Sequence, residues 1–170
     1  MIRAALDTLE ADYRRWGTGD YTVRLPGTHR LVTSCRLRLG THSVTAEAFV
    51  LRRPEENGER LYHLLLRRNA TPRGVAFAVD GAGDVYLVGR LPRAAVSVDE
   101  LDRLLGAVLS CADDNFVAML EIGFGTSIRR EWQWRVARGE SLANLAAFAS
   151  FADPERGPPG AERTDRRSPR

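Results

Sequence analysis

The sequence predicts an α+β fold, an antiparallel sheet of five or six strands with helices packed on it. Three observations carry this. Residues 29–52 and 74–90 alternate apolar and polar or small side chains around short Gly-containing turns, as hairpins do. Three other stretches space their apolar residues three and four apart, the helical period. The order reads helix, three strands, helix, two strands, helix.

Ile2, Leu6, Leu9, Tyr13 and Trp16 form one stripe of an amphipathic helix, with Arg3–Asp7 and Glu10–Arg14 as i,i+4 pairs on its wet face and Gly17 and Gly19 as its stop. Tyr21 to Leu25 is a short strand ended by Pro26-Gly27. A hairpin turning at Gly40-Thr41 sets Leu39 opposite His42. Leu37 then faces Val44, Cys35 faces Ala46 and Leu31 faces Val50 on one side. Arg36 falls on the other with Thr45, and Val32 and Phe49 share that second side. Pro54 opens a second helix with Glu55, Glu56 and Glu59 near its start and Arg67 and Arg68 near its end, complementing the helix dipole; Asn69 and Pro72 end it.

A second hairpin runs from Gly74 to Val79 and from Asp84 to Arg90, with Asp80-Gly-Ala-Gly83 as its turn. Val75, Phe77, Val79, Val85 and Leu87 share one face; Ala76, Ala78, Tyr86 and Val88 share the other. Residues 97–152 are helical. Ser97 and Glu100 make a capping box, and Asp113-Asp-Asn115 is expected to interrupt and recap the helix. The apolar face continues to Gly123, a further helix runs from about Thr126 to Ala137, Gly139 breaks it, and Leu142, Leu145 and Phe148 mark a last short helix. The domain is expected to span residues 1–152. From Asp153 to Arg170 the periodicity is lost, and that tail is read as disordered.

All 25 basic residues are Arg, and 22 acidic residues scattered among them leave a net charge of only +3, so the charge does not single out nucleic acid as a partner. Two cysteines, Cys35 and Cys111, are too few for a disulfide framework and fit buried free thiols in a reducing compartment. Asp7, Glu10 and Asp12 fall where a signal peptide would be apolar, and no apolar run approaches the ~18 residues of a membrane span. A cytoplasmic location away from membranes is expected.

The runs Gly74-Val-Ala-Phe-Ala-Val-Asp80, Gly83-Asp-Val-Tyr-Leu-Val-Gly-Arg-Leu-Pro92 and Glu100-Leu-Asp-Arg-Leu-Leu105 resemble the YbjN-domain family in its actinobacterial form. Leu120-Glu-Ile-Gly-Phe124 and Ser127-Ile-Arg-Arg-Glu-Trp-Gln-Trp134 do so too, and the resemblance covers residues 1–150. It implies a curved antiparallel sheet backed by helices, like the type III secretion chaperones. It also implies protein binding, often as a dimer, under the loose label of sensory transduction regulator. It supplies no catalytic residues and no cofactor.

The residues themselves offer little chemistry. His29, His42 and His63 have no metal-ligand spacing, and no Cys-x-x-Cys exists. Gly123-Phe-Gly-Thr-Ser127 lacks the Lys and spacing of a phosphate loop and reads as a helix–helix break; Asp80 to Asp84 reads as a turn. Two surfaces remain as candidate protein interfaces. One is the second sheet face, with Val32, Phe49, Ala76, Ala78, Tyr86 and Val88 apolar and Arg36 at the margin. Either helices 97–152 cover it or a partner does. The other is the helix carrying Arg130, Trp132 and Trp134, where Ile128, Trp132 and Val136 are expected to face a core and Trp134 to point elsewhere, partly exposed. The leading reading is a non-enzymatic protein-binding or regulatory protein. The alternatives are nucleic-acid binding through Arg129, Arg130, Arg135, Arg138 and the tail, and a small-molecule sensor with a pocket between helices and sheet.

Overall fold

The computed structural model describes residues 1–71 and 73–153. Pro72 and the tail from residue 154, expected to be disordered, lie outside the described residues. The chain falls into two compact units, Met1–Gly123 and one that begins at Phe124.

The first unit holds a six-stranded antiparallel sheet: β1 (Tyr13–Gly17), β2 (Asp20–Pro26), β3 (Val32–Leu39), β4 (Ser43–Leu51), β5 (Val75–Val79) and β6 (Val85–Pro92), in the order β1-β2-β3-β4-β6-β5. Helices α1 (Ile2–Thr8), α2 (Gly58–Asn69) and the first part of α3 (Val98–Arg138) accompany it. The inner face is closed by Val23, Cys35, Leu37, Val44, Ala46, Ala48, Val50, Val85 and Leu87, all buried. The helices pack on this face. A Cβ at Gly89 of β6 would lie 2.9 Å from Leu104 of α3, and Tyr13 of β1 donates its hydroxyl to Asp7 of α1.

The hairpin of β3 and β4 departs from its expected register. Leu39 pairs with Val44, Leu37 with Ala46, Arg36 with Glu47 and Cys35 with Ala48. The turn centres on Thr41 and His42 instead of Gly40 and Thr41, and Gly40 N–H donates to Ser43 C=O at 2.8 Å. This moves every partner by two residues and leaves every side chain on its expected face, because the pleat has period two. Leu31 is exposed rather than buried beside Val50. Strand β3 starts only at Val32, since Thr28, His29 and Arg30 wrap around a side chain of α3. The β5–β6 hairpin has the expected faces. Its turn is built by Asp80, whose Oδ1 accepts the N–H groups of Ala82 and Asp84 at 2.9 Å.

The expected first helix is too long. It ends at Thr8. Ala11 N–H donates to Leu6 C=O and Glu10 N–H to Asp7 C=O, around Glu10 at φ 50°, which is a Schellman stop made without glycine. Tyr13 to Gly17 form an edge strand, and the expected Glu10–Arg14 helical pair does not exist there. Gly19, at φ 79°, sits in the β1–β2 turn, where a Cβ would lie 2.8 Å from that of Leu39. Helix α2 starts at Gly58, later than Pro54, because residues 54–57 are held against α3: Glu55 and Glu56 N–H both donate to Gly123 C=O, and Asn57 Nδ2 donates to Ile122 C=O.

Helix α3 is continuous through both expected breaks, at Asp113–Asn115 and at Gly123–Ser127. Asn115 Nδ2 shares the Cys111 C=O one turn back, an i−4 back-bond that a helix accommodates, and Asp113 turns its carboxylate onto another segment, so neither residue ends the helix. Half of the capping box forms. Glu100 N–H donates to Ser97 Oγ at 3.2 Å, while the Glu100 carboxylate pairs with Arg103. The second unit contains the rest of α3, which stops at Gly139 (φ 65°), and, where the last short helix was expected, a 3₁₀ segment (Ala143–Phe148) followed by α4 (Ala149–Ala152).

Candidate protein-binding face

Side chains that point away from the helices form the outer face of the sheet, and the registers place them in rows. One row runs across all six strands: Arg14, Thr22, Arg36, Glu47, Val88, Ala76. A second holds Phe49, Tyr86 and Ala78 on β4, β6 and β5; a third holds Asp20, Arg38, Thr45 and Arg90. The face is therefore divided. Its apolar part, Phe49, Tyr86, Val88, Ala76 and Ala78, lies over β4, β6 and β5, flanked by Glu47 and Arg90 on those strands and by the charged and polar residues of β1, β2 and β3. The helices of the first unit lie on the opposite side, so the expectation that residues 97–152 cover this face fails for the part of α3 in that unit. Phe49 remains 42% and Val88 38% exposed.

Phe49 and Tyr86 meet edge to face, with ring centroids 5.5 Å apart and planes at 78°. Such a pair contributes about 0.5–1.5 kcal/mol beyond its buried area and fixes both rings in place. Partial burial, with the carboxylates of Asp80, Asp84 and Glu47 nearby, pushes the Tyr86 hydroxyl above the usual tyrosine range. It stays a neutral donor and acceptor at physiological pH. A shallow hollow of about 330 Å³ runs beside Tyr86 and Val88 to Asp80, and a broader one of about 720 Å³ lies between Val88 and the arginines Arg38, Arg73 and Arg90.

Arg36 grips Asp20 with two nitrogens of one guanidinium edge, Nε to Oδ1 at 3.0 Å and Nη2 to Oδ2 at 2.6 Å. That fork holds the Asp20 carboxyl below its usual range and occupies Arg36 within the sheet. Val32 has the outer-face orientation and pairs with Pro26 at the start of β3, beyond the last β3–β4 pair, Cys35 with Ala48. The sequence reading missed Trp16, which it placed in the first helix. Trp16 is 58% exposed, donates Nε1 to Thr22 Oγ1 at 2.9 Å and carries the Arg14 guanidinium 4.1 Å above its ring. The Thr18-Gly19 turn between Tyr13–Gly17 and Asp20–Tyr21 was the available hairpin signal.

In the second unit the two expected interface tryptophans part company. Trp132 is buried, at 7% exposure, and Trp134 is 45% exposed with Arg138 stacked 4.7 Å from its ring centroid. Val136 is exposed, not core-facing. Arg130 is exposed. Arg135 is bonded to Glu131 at 2.7 Å and to Ser141 C=O, and Arg129 to Phe151 C=O.

His29 is the one histidine with an acidic partner among the described ion pairs. Its Nδ1 lies 3.3 Å from Asp113 Oδ2. The same carboxylate accepts the N–H groups of Thr28, His29 and Arg30 at 3.1, 2.8 and 2.8 Å. These bonds hold the Asp113 carboxyl below its usual range against the opposing effect of burial. They tie a loop to a helix and leave the carboxylate little capacity to move a proton. Cys35 and Cys111 are buried and unpaired, and burial pushes the Cys35 thiol up to about 12. Among the described residues no three His, Cys, Asp or Glu side chains converge to hold a metal, and no helix is long and apolar enough to cross a membrane.

Residues 1–121 match the sequence profile of the YbjN family, "Putative bacterial sensory transduction regulator". The match stops close to the end of the first unit rather than at residue 150. The chain is 55% identical over 127 residues to an uncharacterized protein of Mycobacterium tuberculosis, covering 75% of this chain and 69% of that one. It is 51% identical over 133 residues to an uncharacterized protein of Mycobacterium leprae, covering 78% and 72%. In fold it is similar to a chain of the heterodimeric ExoU–SpcU complex from the type III secretion system of Pseudomonas aeruginosa. That match has a TM-score of 0.54 at 22% identity and spans 71% of this chain and 98% of the other.

Proposed function

This chain belongs to the YbjN family, and we propose that it is a non-enzymatic protein-binding or regulatory protein that holds a partner segment on the outer face of its sheet. The observation that carries the reading is the Phe49–Tyr86 pair, fixed edge to face beside exposed Val88 on the side of the sheet opposite α1, α2 and the start of α3. Rigid aromatic side chains beside apolar neighbours are what interface cores use, and arginines at the margin give charge-assisted contacts. Arg38 and Arg90 fill that marginal role better than Arg36, which is already paired with Asp20. The likeness to a chain of a heterodimeric type III secretion complex supports a protein partner by analogy of fold.

The Trp134 surface is the weaker candidate, since Trp132 is buried. Nucleic-acid binding loses support because Arg129, Arg135 and Arg138 are engaged within the chain. The buried, unpaired cysteines favour a reducing compartment, and we assign the protein to the cytoplasm. The occupant of the face is a partner protein or a second copy of the chain. Light scattering and co-purification of the full chain, with Phe49→Ser/Tyr86→Ser beside Trp134→Ala, test the reading. Association lost only in the double variant supports the sheet face. Association lost only in Trp134→Ala moves the interface to the second unit.

A further inference from the structure

A second concavity lies on the other side of the sheet, within the first unit. It is a hollow of about 180 Å³ between the last turn of α2, the edge of β5 and the middle of α3. Its floor is apolar and rigid, formed by Phe77, Leu87 and Cys111, all buried. Three arginines, Arg67, Arg68 and Arg73, line it with one acidic residue, Asp114. Among the described residues none of these three arginines makes a side-chain hydrogen bond or ion pair. Two amides in the wall are already fixed: Asn69 is bonded to the Phe77 backbone and Asn115 Nδ2 to Cys111 C=O.

We infer that this hollow binds a phosphate group, either free or carried by a small molecule. The volume is below the roughly 300 Å³ at which drug-sized pockets begin, and it suits a compact anion. Unpaired guanidinium forks match the planar pairs of oxygens that a phosphate presents. Arg67 and Arg68 also answer the negative end of the α2 dipole, so the field is weaker than three free cations would give. Asp114 opposes an anion directly. The hollow meets the outer-face hollow at the edge of β5, where Arg73 lines both, while Arg67, Arg68 and Asp114 line only this one.

The test uses the full chain, titrated with sodium phosphate against sodium chloride at matched ionic strength, read by thermal unfolding and by calorimetry. The expected result is a saturable rise in unfolding temperature that chloride does not reproduce. Arg67→Ala, Arg68→Ala and Arg73→Ala combined weaken phosphate binding by at least about tenfold, the cost of one lost charge-assisted bond. Asp114→Asn tightens it by removing a like charge. A rise equal to that in chloride, or one unchanged in the triple variant, overturns the inference. The arginines are exposed, so the triple variant is expected to fold, which circular dichroism checks. Should it not fold, Asp114→Asn decides alone, with tighter binding supporting the site and unchanged binding refuting it.

Discussion

The side-chain amide of Asn69, the last residue of α2, closes both free backbone groups of Phe77 on the edge strand β5. Oδ1 accepts the Phe77 N–H at 2.8 Å, and Nδ2 donates to the Phe77 carbonyl at 3.0 Å. Strand β5 ends the sheet, and an open edge is a template for pairing with another chain. One amide thus covers the middle of this edge. Asn69→Ala is expected to cost about 1–3 kcal/mol, because two polar groups lose their partners. It should also raise the apparent mass at high concentration. Urea unfolding and light scattering check the two effects.

Asp113 fastens the Thr28–Arg30 loop to α3 through three backbone N–H groups. Its carboxyl pKa is lowered on folding. Its stabilisation is therefore complete above the unfolded value of about 4 and is lost as pH falls through the lower folded-state value. Asp113→Asn should be destabilised by about 2–4 kcal/mol at pH 7. The gap from the unsubstituted protein should stay constant down to about pH 5 and close only in stronger acid. Urea unfolding across pH 3–8 measures it.

Two glycines of α3 should respond in opposite directions to the same change. At Gly123 a Cβ would lie 2.9 Å from that of Pro54, whose segment is held by the two bonds to the Gly123 carbonyl. The crowding, about 1–3 kcal/mol, outweighs the helix-propensity gain of about 1 kcal/mol. Gly106 has nothing within 4 Å of its Cβ position. Thermal unfolding should show Gly123→Ala falling and Gly106→Ala rising.

What the sequence revealed follows from the range of each interaction. The faces of β3–β6 were legible because a period of two survives an error of two in register, as the Leu39–Val44 pairing shows. The register itself depended on which pair of residues turned, and Gly40 was misleading. Tyr13 and Trp16 fit a helical stripe by coincidence of spacing, while the stop at Glu10 came from backbone bonds that no glycine announced. Asp113 looked like a break because its partners lie more than eighty residues away. The aromatic part of the outer face was read correctly from parity alone. Trp16 was lost with the helix; the split of buried Trp132 from exposed Trp134 was legible in the helical spacing, while Val136 was misplaced toward the core.

The most direct measurement places a photocrosslinking amino acid at Val88, on the outer face, and in parallel at Arg60 on α2 and at Trp134, in the full chain expressed in its own cells. A discrete adduct is expected from Val88, abolished by Phe49→Ser/Tyr86→Ser, and none of the same mass from Arg60 or Trp134. No adduct from Val88, with a discrete one from Trp134, would contradict that expectation and move the interface off the sheet.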